Sequence, residues 1–308
     1  MGEHVLIIGA SLLDTKGIPK EGLEPGTTNP AYIRSSRGGT ARNVAENLAL
    51  LGAEAVLLTA VGDDTTGIRL MEDTAEAGVN IDYVQMLVGQ NTGGYMAVLN
   101  PDGTLAVAMD DTAVMKNVSP DFLLAHEPLF QEADMIFVDG SVPRSSLATA
   151  VELARKYHVR LCADPSSTRL THKIVPYLPH LHLIVPNEPE AASICQEPFM
   201  GHDESKSILL ARQLNQRGVN IAVITQSDFG LVYATGDESG YLPANYREMV
   251  DSTGTGDAVT AAIIFGILNQ LDPIECIRLG AAAAGLTLQT TETVVPDLSL
   301  DMLYDHLL

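Results

Sequence analysis

The chain has few cysteines, few basic residues and no long hydrophobic run. Its three cysteines, Cys162, Cys195 and Cys276, lie far apart and show no spacing typical of zinc sites or disulfide frameworks, which fits a reducing compartment. No stretch approaches the roughly 18 to 20 apolar residues that a membrane-spanning helix needs. The N-terminal segment lacks a basic region, so we predict a first strand there rather than a signal peptide, and a cytoplasmic protein.

The shortage of basic residues limits the partners of the protein. Lys and Arg number 18 against 39 Asp and Glu, which gives a formal net charge of −21 over 308 residues. A protein that binds bulk nucleic acid or an anionic membrane needs a broad positive face, so we expect neither partner. An anionic substrate would have to be attracted locally, by a helix N-terminus, a metal ion or a few cations.

Hydrophobic residues make up 46% of the chain, which excludes disorder as the main state and is ample for a large core. From about residue 112 onward, short apolar runs alternate with segments of helical spacing, which predicts a mostly parallel sheet covered by helices on both faces. Segments 11–40 and 91–111 depart from this alternation, and we predict that they form a lid. Residues 100–103 predict a hairpin turn. We interpret residues 1–308 as one domain.

The most informative motif is the turn at residues 251–257, Asp-Ser-Thr-Gly-Thr-Gly-Asp, which leads into an apolar helix. Gly254 and Gly256 allow the backbone to point several N–H groups at one spot, and the helix N-terminus adds about half a positive charge. The turn therefore predicts an anion hole. We interpret Asp257, at its mouth, as a general base for a hydroxyl that attacks a bound phosphoryl group. The alternative is that Asp257 is a helix N-cap.

Two other segments place polar groups at the start of helices. Gly38 and Gly39 precede an amphipathic helix with Asn43 in its first turn, where an amide and a backbone N–H are placed to hold sugar hydroxyls; the alternative is a purely structural turn. Asn187 and Glu190 follow a predicted parallel strand, and open α/β sheets bind ligands at the carboxyl ends of such strands. The alternative there is an ordinary helix start.

Together and in this order, the three segments resemble the motifs of the PfkB-type, ribokinase-like sugar kinases. Residues 38–52 resemble the N-terminal motif of that family, Asn187 and Glu190 its NxxE motif, and residues 251–257 its C-terminal motif DTxGAGD. The resemblance implies an α/β fold, a ribokinase-like three-layer α/β/α sandwich with a mostly parallel central sheet and a small β-sheet lid. It also implies an ATP-dependent phosphotransferase.

Within that family, the chain is similar to pseudouridine kinases. The similarity rests on residues 9–17, 28–30 and 91–95 and on the stretch 107–111. It implies transfer of the γ-phosphoryl group of ATP to the 5′-hydroxyl of pseudouridine. A ribokinase or another nucleoside or sugar kinase remains the alternative acceptor class. A non-catalytic sugar- or nucleotide-sensing protein is the alternative of another class, although a sensor has no need for a base at Asp257.

The resemblance also implies the catalytic and acceptor-binding residues. Asp257 is the implied base, and the implied anion hole comprises Gly254, Thr255 and Gly256. Asp14 is the implied carboxylate that chelates two ribose hydroxyls. The other implied acceptor-binding residues are Lys16, Asn29, Gly39, Asn43 and Thr92, with Lys16 and Asn29 near the base of the nucleoside.

The remaining implications concern the nucleotide and the metal ions. The implied nucleotide-binding residues are Asn187, Thr225, Ser227, Gly230, Gly254 and Gly256. Glu190 is implied to organise Mg²⁺ through water, and Asp251 and Thr253 to help bind a monovalent cation, typically K⁺. The chain departs from the family at Thr255, where alanine is usual, and at Ser227, where glycine is common. The net negative charge of the protein favours a small neutral acceptor over a phosphorylated sugar. We also expect a homodimer formed through the lid.

Overall fold

The structure, a computed structural model, describes residues 4–101 and 104–307, so Asp102 and Gly103 of the predicted hairpin turn lie outside the described residues. The strands are β1 (His4–Ile8), β2 (Leu12–Pro19), β3 (Ala31–Gly38), β4 (Glu54–Leu58), β5 (Ala60–Gly62), β6 (Gln85–Leu87), β7 (Gly93–Leu99), β8 (Leu105–Asp111), β9 (Met135–Asp139), β10 (Arg160–Asp164), β11 (Leu183–Ile184), β12 (Ile221–Thr225), β13 (Gly230–Ala234) and β14 (Ser239–Pro243). The helices are α1 (Thr40–Leu50), α2 (Thr65–Glu76), α3 (Pro120–Ala125), α4 (Glu127–Glu132), α5 (Arg144–Tyr157), α6 (Thr171–Ile174), α7 (Glu188–Cys195), α8 (Glu204–Gln216), α9 (Thr255–Leu268), α10 (Pro273–Thr287) and α11 (Leu300–Asp305).

The large sheet has eight strands in the order β14-β13-β12-β11-β10-β9-β1-β4. Its strands pair in parallel from β12 to β4, and β13 and β14 add an antiparallel edge. Leu6 and Ile8 of β1 pack into one hydrophobic cluster with residues of α5, α7 and α8, whereas Val5 and Ile7 pack into another with residues of α1, α9 and α10. Because side chains alternate along a strand, this separation shows helices on both faces of the sheet. The predicted three-layer fold is confirmed.

The smaller sheet has the order β3-β2-β7-β8, and the two predicted lid segments supply its strands. We call it the lid sheet. β2 pairs antiparallel with β3 and parallel with β7, and β8 returns antiparallel along β7. Because β2 follows β1 after a short connection, the first lid strand starts at the carboxyl edge of the large sheet, where α/β folds bind ligands.

The sequence interpretation differs from the structure mainly in short elements. The apolar run at residues 55–61 forms two strands instead of one, because the chain leaves the large sheet at Thr59 and β5 pairs with β6. The short helices α3, α4 and α6 were not expected, because four to six residues are too few to show helical periodicity. Across residues 4–101 and 104–307, no helix is long and apolar enough to span a membrane.

Candidate active site

Two cavities meet at the carboxyl edge of the large sheet, beneath the lid sheet. The first, of about 260 Å³, lies against Asp14, Tyr95 and Asp110, and we call it the lid cavity. The second, of about 450 Å³, lies against Glu190, Thr225 and Gly256, and we call it the turn cleft. Three residues line both: Thr40, Ser166 and Asp257. The carboxyl group of Asp257 can therefore contact a molecule in either cavity.

The lid sheet presents a row of polar side chains to the lid cavity. Asp14 of β2 is in register with Tyr95 of β7, and Tyr95 is in register with Asp110 of β8. Residues in register on neighbouring strands point to the same face of a sheet. Tyr95 and Asp110 were not among the predicted site residues. Their position on the same face as Asp14 follows from the pairing of the strands. The alternation of residues in the sequence does not show which strands pair.

Asp14 is a carboxylate without a donor. It is 6% exposed, and no described residue donates a hydrogen bond to it. Gly38 lies so close that a Cβ at that position would collide with the carboxyl group of Asp14. Burial raises the pKa of Asp14 to about 6, although Lys16 and Arg42 oppose the shift. A buried carboxylate without hydrogen-bond donors is costly, so Asp14 has free acceptor capacity towards the lid cavity.

Gly39 and Asn43 have structural roles as well as a place in the lid cavity. Gly39 adopts a φ of 97°, and a Cβ there would collide with the carbonyl oxygen of Ala10, so the turn into α1 requires glycine. The Nδ2 of Asn43 donates to Oδ2 of Asp257 at 2.6 Å. The amide predicted to hold the sugar thus also holds the predicted base, across the boundary between α1 and α9.

Arg42 fixes that amide and was missed by the sequence interpretation. It is fully buried. Its Nε donates to the carbonyl oxygen of Gly38 at 2.9 Å, and its terminal nitrogens contact Glu46 and Oδ1 of Asn43. Burial lowers the pKa of Arg42, and the charge of Glu46 opposes the shift. Because Oδ1 of Asn43 faces the guanidinium, its Nδ2 is left to face Asp257. The signal in the sequence is the i,i+4 pair of Arg42 and Glu46 on the buried face of a helix.

Asp257 is the third residue of α9 and not its N-cap, which is Gly254. Its carboxylate accepts from Asn43 instead of from the amides of its own helix, so the structure does not support the N-cap alternative. Burial raises the pKa of Asp257 to about 7, and the hydrogen bond from Asn43 offsets part of the shift. A carboxylate with a pKa near the working pH is suited to accept a proton.

The predicted anion hole is shaped by backbone at the start of α9. Gly254 has a φ of 84°, and a Cβ there would collide with the carbonyl oxygen of Thr293. A Cβ at Gly256 would meet nothing within 4 Å, so the turn cleft is open above this turn. The first amides of a helix have no partner within it. The side chain of Thr255, which replaces the usual alanine, is buried, with its hydroxyl unpaired among the described residues.

The wall of the turn cleft carries three buried carboxylates, Asp164, Glu188 and Glu190. The carboxylate of Glu188 is already bonded to the side chains of Ser207 and Gln226, so Asp164 and Glu190 are the pair of interest. Burial raises the pKa of Glu190 to about 7. Burial, followed by the charge of Glu190, raises the pKa of Asp164. Carboxylate oxygens are the ligands that divalent ions such as Mg²⁺ prefer. No group of three or more His, Cys, Asp or Glu in residues 4–101 and 104–307 could hold a metal, so Mg²⁺ at this pair would also need water and phosphate oxygens.

Asn187 and Glu190 also form a capping box at the start of α7. The side chain of Asn187 accepts from the backbone of Glu190 at 3.0 Å, and Glu190 accepts from the backbone of Asn187 at 2.9 Å. The helix-start alternative is therefore correct as a description of their hydrogen bonds. It does not exclude a ligand, because both residues line the turn cleft. Asp164 was not among the predicted site residues, although it ends β10 at the ligand-binding edge of the sheet.

The nucleotide loop predicted at residues 225–230 borders the turn cleft through Thr225 and Ser227. Ser227 has a φ of 54°, the left-handed conformation that explains why glycine is common there. Gly230 has a φ of 121° and lies against the carbonyl oxygen of Leu242. Ser166, which the sequence interpretation missed, has a φ of 62° and a buried hydroxyl without a partner among the described residues. Strained, unpaired groups of this kind cluster at functional sites.

The structure places three predicted acceptor-binding residues elsewhere. The side chain of Asn29 forms hydrogen bonds with the backbone of Glu24 and with the carbonyl oxygen of Thr27. These bonds close the surface loop to which Asn29 belongs. The amide and hydroxyl of Thr92 both bond to Asp64, which caps α2. Lys16 contacts Asp251 and Thr253. None of the three is among the described residues that line the lid cavity.

The residues predicted to bind a monovalent cation do not fit a free ion. Burial raises the pKa of Asp251, but hydrogen bonds from Lys16 and the backbone of Thr253 outweigh it, so the pKa lies below its usual range. The ammonium of Lys16 bonds both Asp251 and Thr253, and Arg34 also reaches Asp251. The place between these oxygens is therefore taken by side chains of the lid sheet.

Comparison with known proteins gives a consistent result over the whole chain. Residues 3–299 match the model of the pfkB family of carbohydrate kinases. The pseudouridine kinase of Escherichia coli strain K12 is 30% identical over 299 residues, which cover 97% of this chain and 94% of that protein. The guanosine-inosine kinase of Exiguobacterium acetylicum is 27% identical over 304 residues, which cover 96% and 97%. Among solved structures, Arabidopsis thaliana ribokinase complexed with ribose and ATP has the same fold, with a TM-score of 0.82, 20% identity and 99% coverage of both chains.

Proposed function

The chain belongs to the pfkB family of carbohydrate kinases, and from this premise we propose that it transfers the γ-phosphoryl group of ATP to the 5′-hydroxyl of pseudouridine. The observation that carries the transfer reaction is the position of Asp257 on the wall shared by the two cavities. An acceptor in the lid cavity and a triphosphate in the turn cleft meet at its carboxylate. Binding two reactants on either side of a base is what phosphoryl transfer requires.

The acceptor side of the mechanism starts with Asp14. Its unpartnered carboxylate accepts hydrogen bonds from two ribose hydroxyls, which fixes the sugar with its 5′-hydroxyl towards Asp257. The lining of the lid cavity includes Asp14, Asp110 and Asp257 and, among the described residues, neither Lys nor Arg. A phosphorylated sugar would be repelled there, so the acceptor is neutral.

On the phosphate side, the start of α9 receives the γ-phosphoryl group. Asp257 takes the proton of the 5′-hydroxyl while the new O–P bond forms, and the bond between the γ-phosphorus and the bridging oxygen of ADP breaks. The amides of the turn stabilise the charge on the transferred oxygens. Asp164 and Glu190 are the residues that would hold Mg²⁺, which neutralises phosphate charge when it is bound.

The choice of pseudouridine rests on the 30% identity with pseudouridine kinase over nearly the whole length of both chains. A ribokinase remains the second candidate, because the fold is that of a ribokinase. The lid cavity, at about 260 Å³, is below the range of about 300 to 1,000 Å³ of typical ligand pockets, which fits a small acceptor of either kind.

The test is release of ADP from Mg·ATP with pseudouridine, uridine, guanosine, inosine, adenosine and ribose. We expect the highest kcat/KM with pseudouridine, with uridine as the matched control because the two differ only in the atom that joins base to sugar. The Asp257→Asn variant measures the background. A preference for ribose would show a ribokinase. Stabilisation by an acceptor without ADP release from any of them would favour a sensor.

We also propose a homodimer formed through the outer face of the lid sheet. Opposite the row that lines the lid cavity, this face exposes apolar side chains, with exposed fractions of 75% for Ile33, 49% for Met96, 53% for Val107 and 60% for Met109. An apolar face of this kind is suited to pair with a second copy of itself. Light scattering should give the mass of a dimer, and the mass of a monomer for Met96→Lys combined with Met109→Lys.

A further inference from the structure

Two basic side chains of the lid sheet converge on one carboxylate beside the glycine turn. Lys16 of β2 and Arg34 of β3 are in register, and both bind Asp251, which lies more than 200 residues further along the chain. Nζ of Lys16 lies 2.8 Å from Oδ1 and 2.7 Å from Oδ2 of Asp251. Like charges in register destabilise a sheet, so this pair needs the carboxylate between them.

We propose that Lys16 is a built-in monovalent cation: its ammonium occupies the place between Asp251 and Thr253 where family members are expected to bind K⁺, so this enzyme works without K⁺. The proposal rests on the proposed function in one respect, because it assumes that the adjoining turn binds the transferred phosphoryl group. Lys16 touches neither substrate and is a positioning residue.

The hydrogen bonds of the ammonium support this role. A lysine has three N–H donors, and three oxygens accept from Lys16: Oδ1 and Oδ2 of Asp251 and Oγ1 of Thr253. No donor is left for a nucleoside base. The side chain of Lys16 is 12% exposed and that of Asp251 is 19% exposed, so water screens their attraction only weakly.

The carboxylate in turn holds the glycine turn. Oδ1 of Asp251 accepts from the backbone N–H of Thr253 at 2.9 Å, and Thr253 directly precedes Gly254, the N-cap of α9. A cation bound to Asp251 therefore fixes the backbone from which the anion hole begins. It also adds positive charge beside the place where phosphate charge develops.

Arg34 leaves little place for an additional ion. Its terminal nitrogen donates to Oδ2 of Asp251 at 3.0 Å and to the carbonyl oxygen of Thr291. Oxygens of both kinds are ligands of alkali cations, and here both are bonded to side-chain donors. A third cation at this carboxylate would meet repulsion from two fixed positive charges.

The first experiment uses the unaltered protein. Its kcat is measured in potassium buffer and in tetramethylammonium buffer of equal ionic strength, with saturating Mg·ATP and acceptor. We expect the two values to agree within about twofold, the scale of general salt effects on surface charges. Activation by K⁺ of about fivefold or more would overturn the proposal, whatever any variant does.

The second experiment removes the ammonium with Lys16→Ala. We expect kcat in tetramethylammonium buffer to fall by at least about tenfold and to be restored by K⁺ or NH₄⁺, since either ion fits the vacated place. Lys20→Ala is the matched control, because Lys20 is an exposed lysine at the end of the same strand and stacks over Tyr32. It should be as active as the unaltered protein and insensitive to K⁺. A Lys16→Ala variant that K⁺ fails to rescue would overturn the proposal.

A third readout is independent of catalysis. K⁺ should raise the melting temperature of Lys16→Ala but not that of the unaltered protein or of Lys20→Ala. This result would support the replacement of K⁺ by Lys16 even if none of the acceptors proved to be a substrate. Failure of the proposed function can therefore be distinguished from failure of the proposal about Lys16. A K⁺-dependent rise in the unaltered protein would contradict the proposal. If Lys16→Ala did not fold, the two measurements on the unaltered protein would decide alone.

Discussion

Asp251 and Asp257 stand at the two ends of one glycine turn, six residues apart, yet their carboxyl groups are in opposite states. Hydrogen bonds from Lys16 and the backbone of Thr253 outweigh burial and hold the pKa of Asp251 below its usual range. Burial raises the pKa of Asp257 to about 7, and Asn43 supplies a neutral donor that offsets only part of the shift. The difference comes from the donors that reach each end: Lys16 and Arg34 of the lid sheet at Asp251, and Asn43 of α1 at Asp257.

The comparison shows how one turn carries both a fixed negative charge and a carboxyl group whose pKa lies near neutral pH. A carboxylate that already binds two cations loses basicity, so Asp251 cannot be the base and instead holds the backbone. A carboxylate with one neutral donor remains basic at neutral pH. Arg42 is close to Asp257, but its donors go to Gly38, Glu46, Asn43 and Thr293 instead. Removal of either carboxylate should therefore have a different consequence.

The largest expected effect is that of Asp257→Asn. The variant keeps the size of the side chain and an oxygen for Asn43 but cannot take a proton, so we expect kcat to fall roughly 10²- to 10⁴-fold. That corresponds to about 3 to 5.5 kcal/mol of barrier. Steady-state kinetics should show an acceptor KM that changes only a few-fold. Turnover within about threefold of the unaltered enzyme would remove Asp257 from the mechanism.

Asp251→Asn is the control from the other end of the turn. It keeps the shape but leaves Lys16 and Arg34 without their carboxylate, so we expect a loss of stability together with a loss of activity. Asp257→Asn should lose activity alone. If both variants lost stability equally, the distinction between a structural and a catalytic carboxylate would be wrong.

The second effect is that of Asp14→Ala on acceptor binding. Two charge-assisted hydrogen bonds, each worth roughly 1.5 to 3 kcal/mol, are lost. Because water replaces part of this loss, we expect acceptor affinity to fall on the order of 10²-fold. ATP affinity should be nearly unchanged in calorimetry, since Asp14 lines the lid cavity and not the turn cleft.

Asp14→Asn is the matched variant, because it keeps the volume of the side chain and removes its charge. Its acceptor affinity should lie between that of the unaltered protein and that of Asp14→Ala. Thr15→Ala changes the neighbouring residue on the opposite face of β2 and should change neither affinity. An equal loss of ATP and acceptor affinity in Asp14→Ala would contradict the assignment of Asp14 to the acceptor.

The glycine motifs could be predicted from the sequence because their requirements are local. A φ of 97° at Gly39 or 84° at Gly254 selects glycine whatever the rest of the chain does. The side-chain pairing could not be predicted, because Lys16 and Asp251 lie 235 residues apart. From the sequence, Lys16 was predicted to contact the nucleoside base and Asp251 to bind a cation. In the folded chain the two side chains bind each other. Ser166 was missed for a similar reason, since its place on the wall of both cavities depends on how separate elements pack.

A third effect is the dependence of activity on pH. Asp257 has to be ionised to accept a proton, so kcat should fall about tenfold per unit as pH decreases below about 7. The free enzyme also needs ionised Asp14, with a pKa of about 6, to chelate the acceptor. The profile of kcat/KM for the acceptor should therefore become steeper than that of kcat below pH 6. Profiles measured at saturating Mg·ATP test this, and equal slopes for the two parameters would contradict separate roles.

The smallest expected effect is on stability, and its sign follows from the raised pKa of Asp257. Between the unfolded value of 3.8 and the folded value of about 7, the folded protein binds more protons than the unfolded one, so this group lowers stability as pH rises through that window. Asp257→Asn has no such group. Its melting temperature should equal that of the unaltered protein near pH 4 and exceed it at pH 8. Asp251→Asn should show the opposite, because the pKa of Asp251 is lowered and its contribution is present above pH 4 and lost in acid. Calorimetry of both variants at pH 4, 6 and 8 tests the contrast, and melting temperatures that shift in the same direction would show that the two ends of the turn do not differ in charge state.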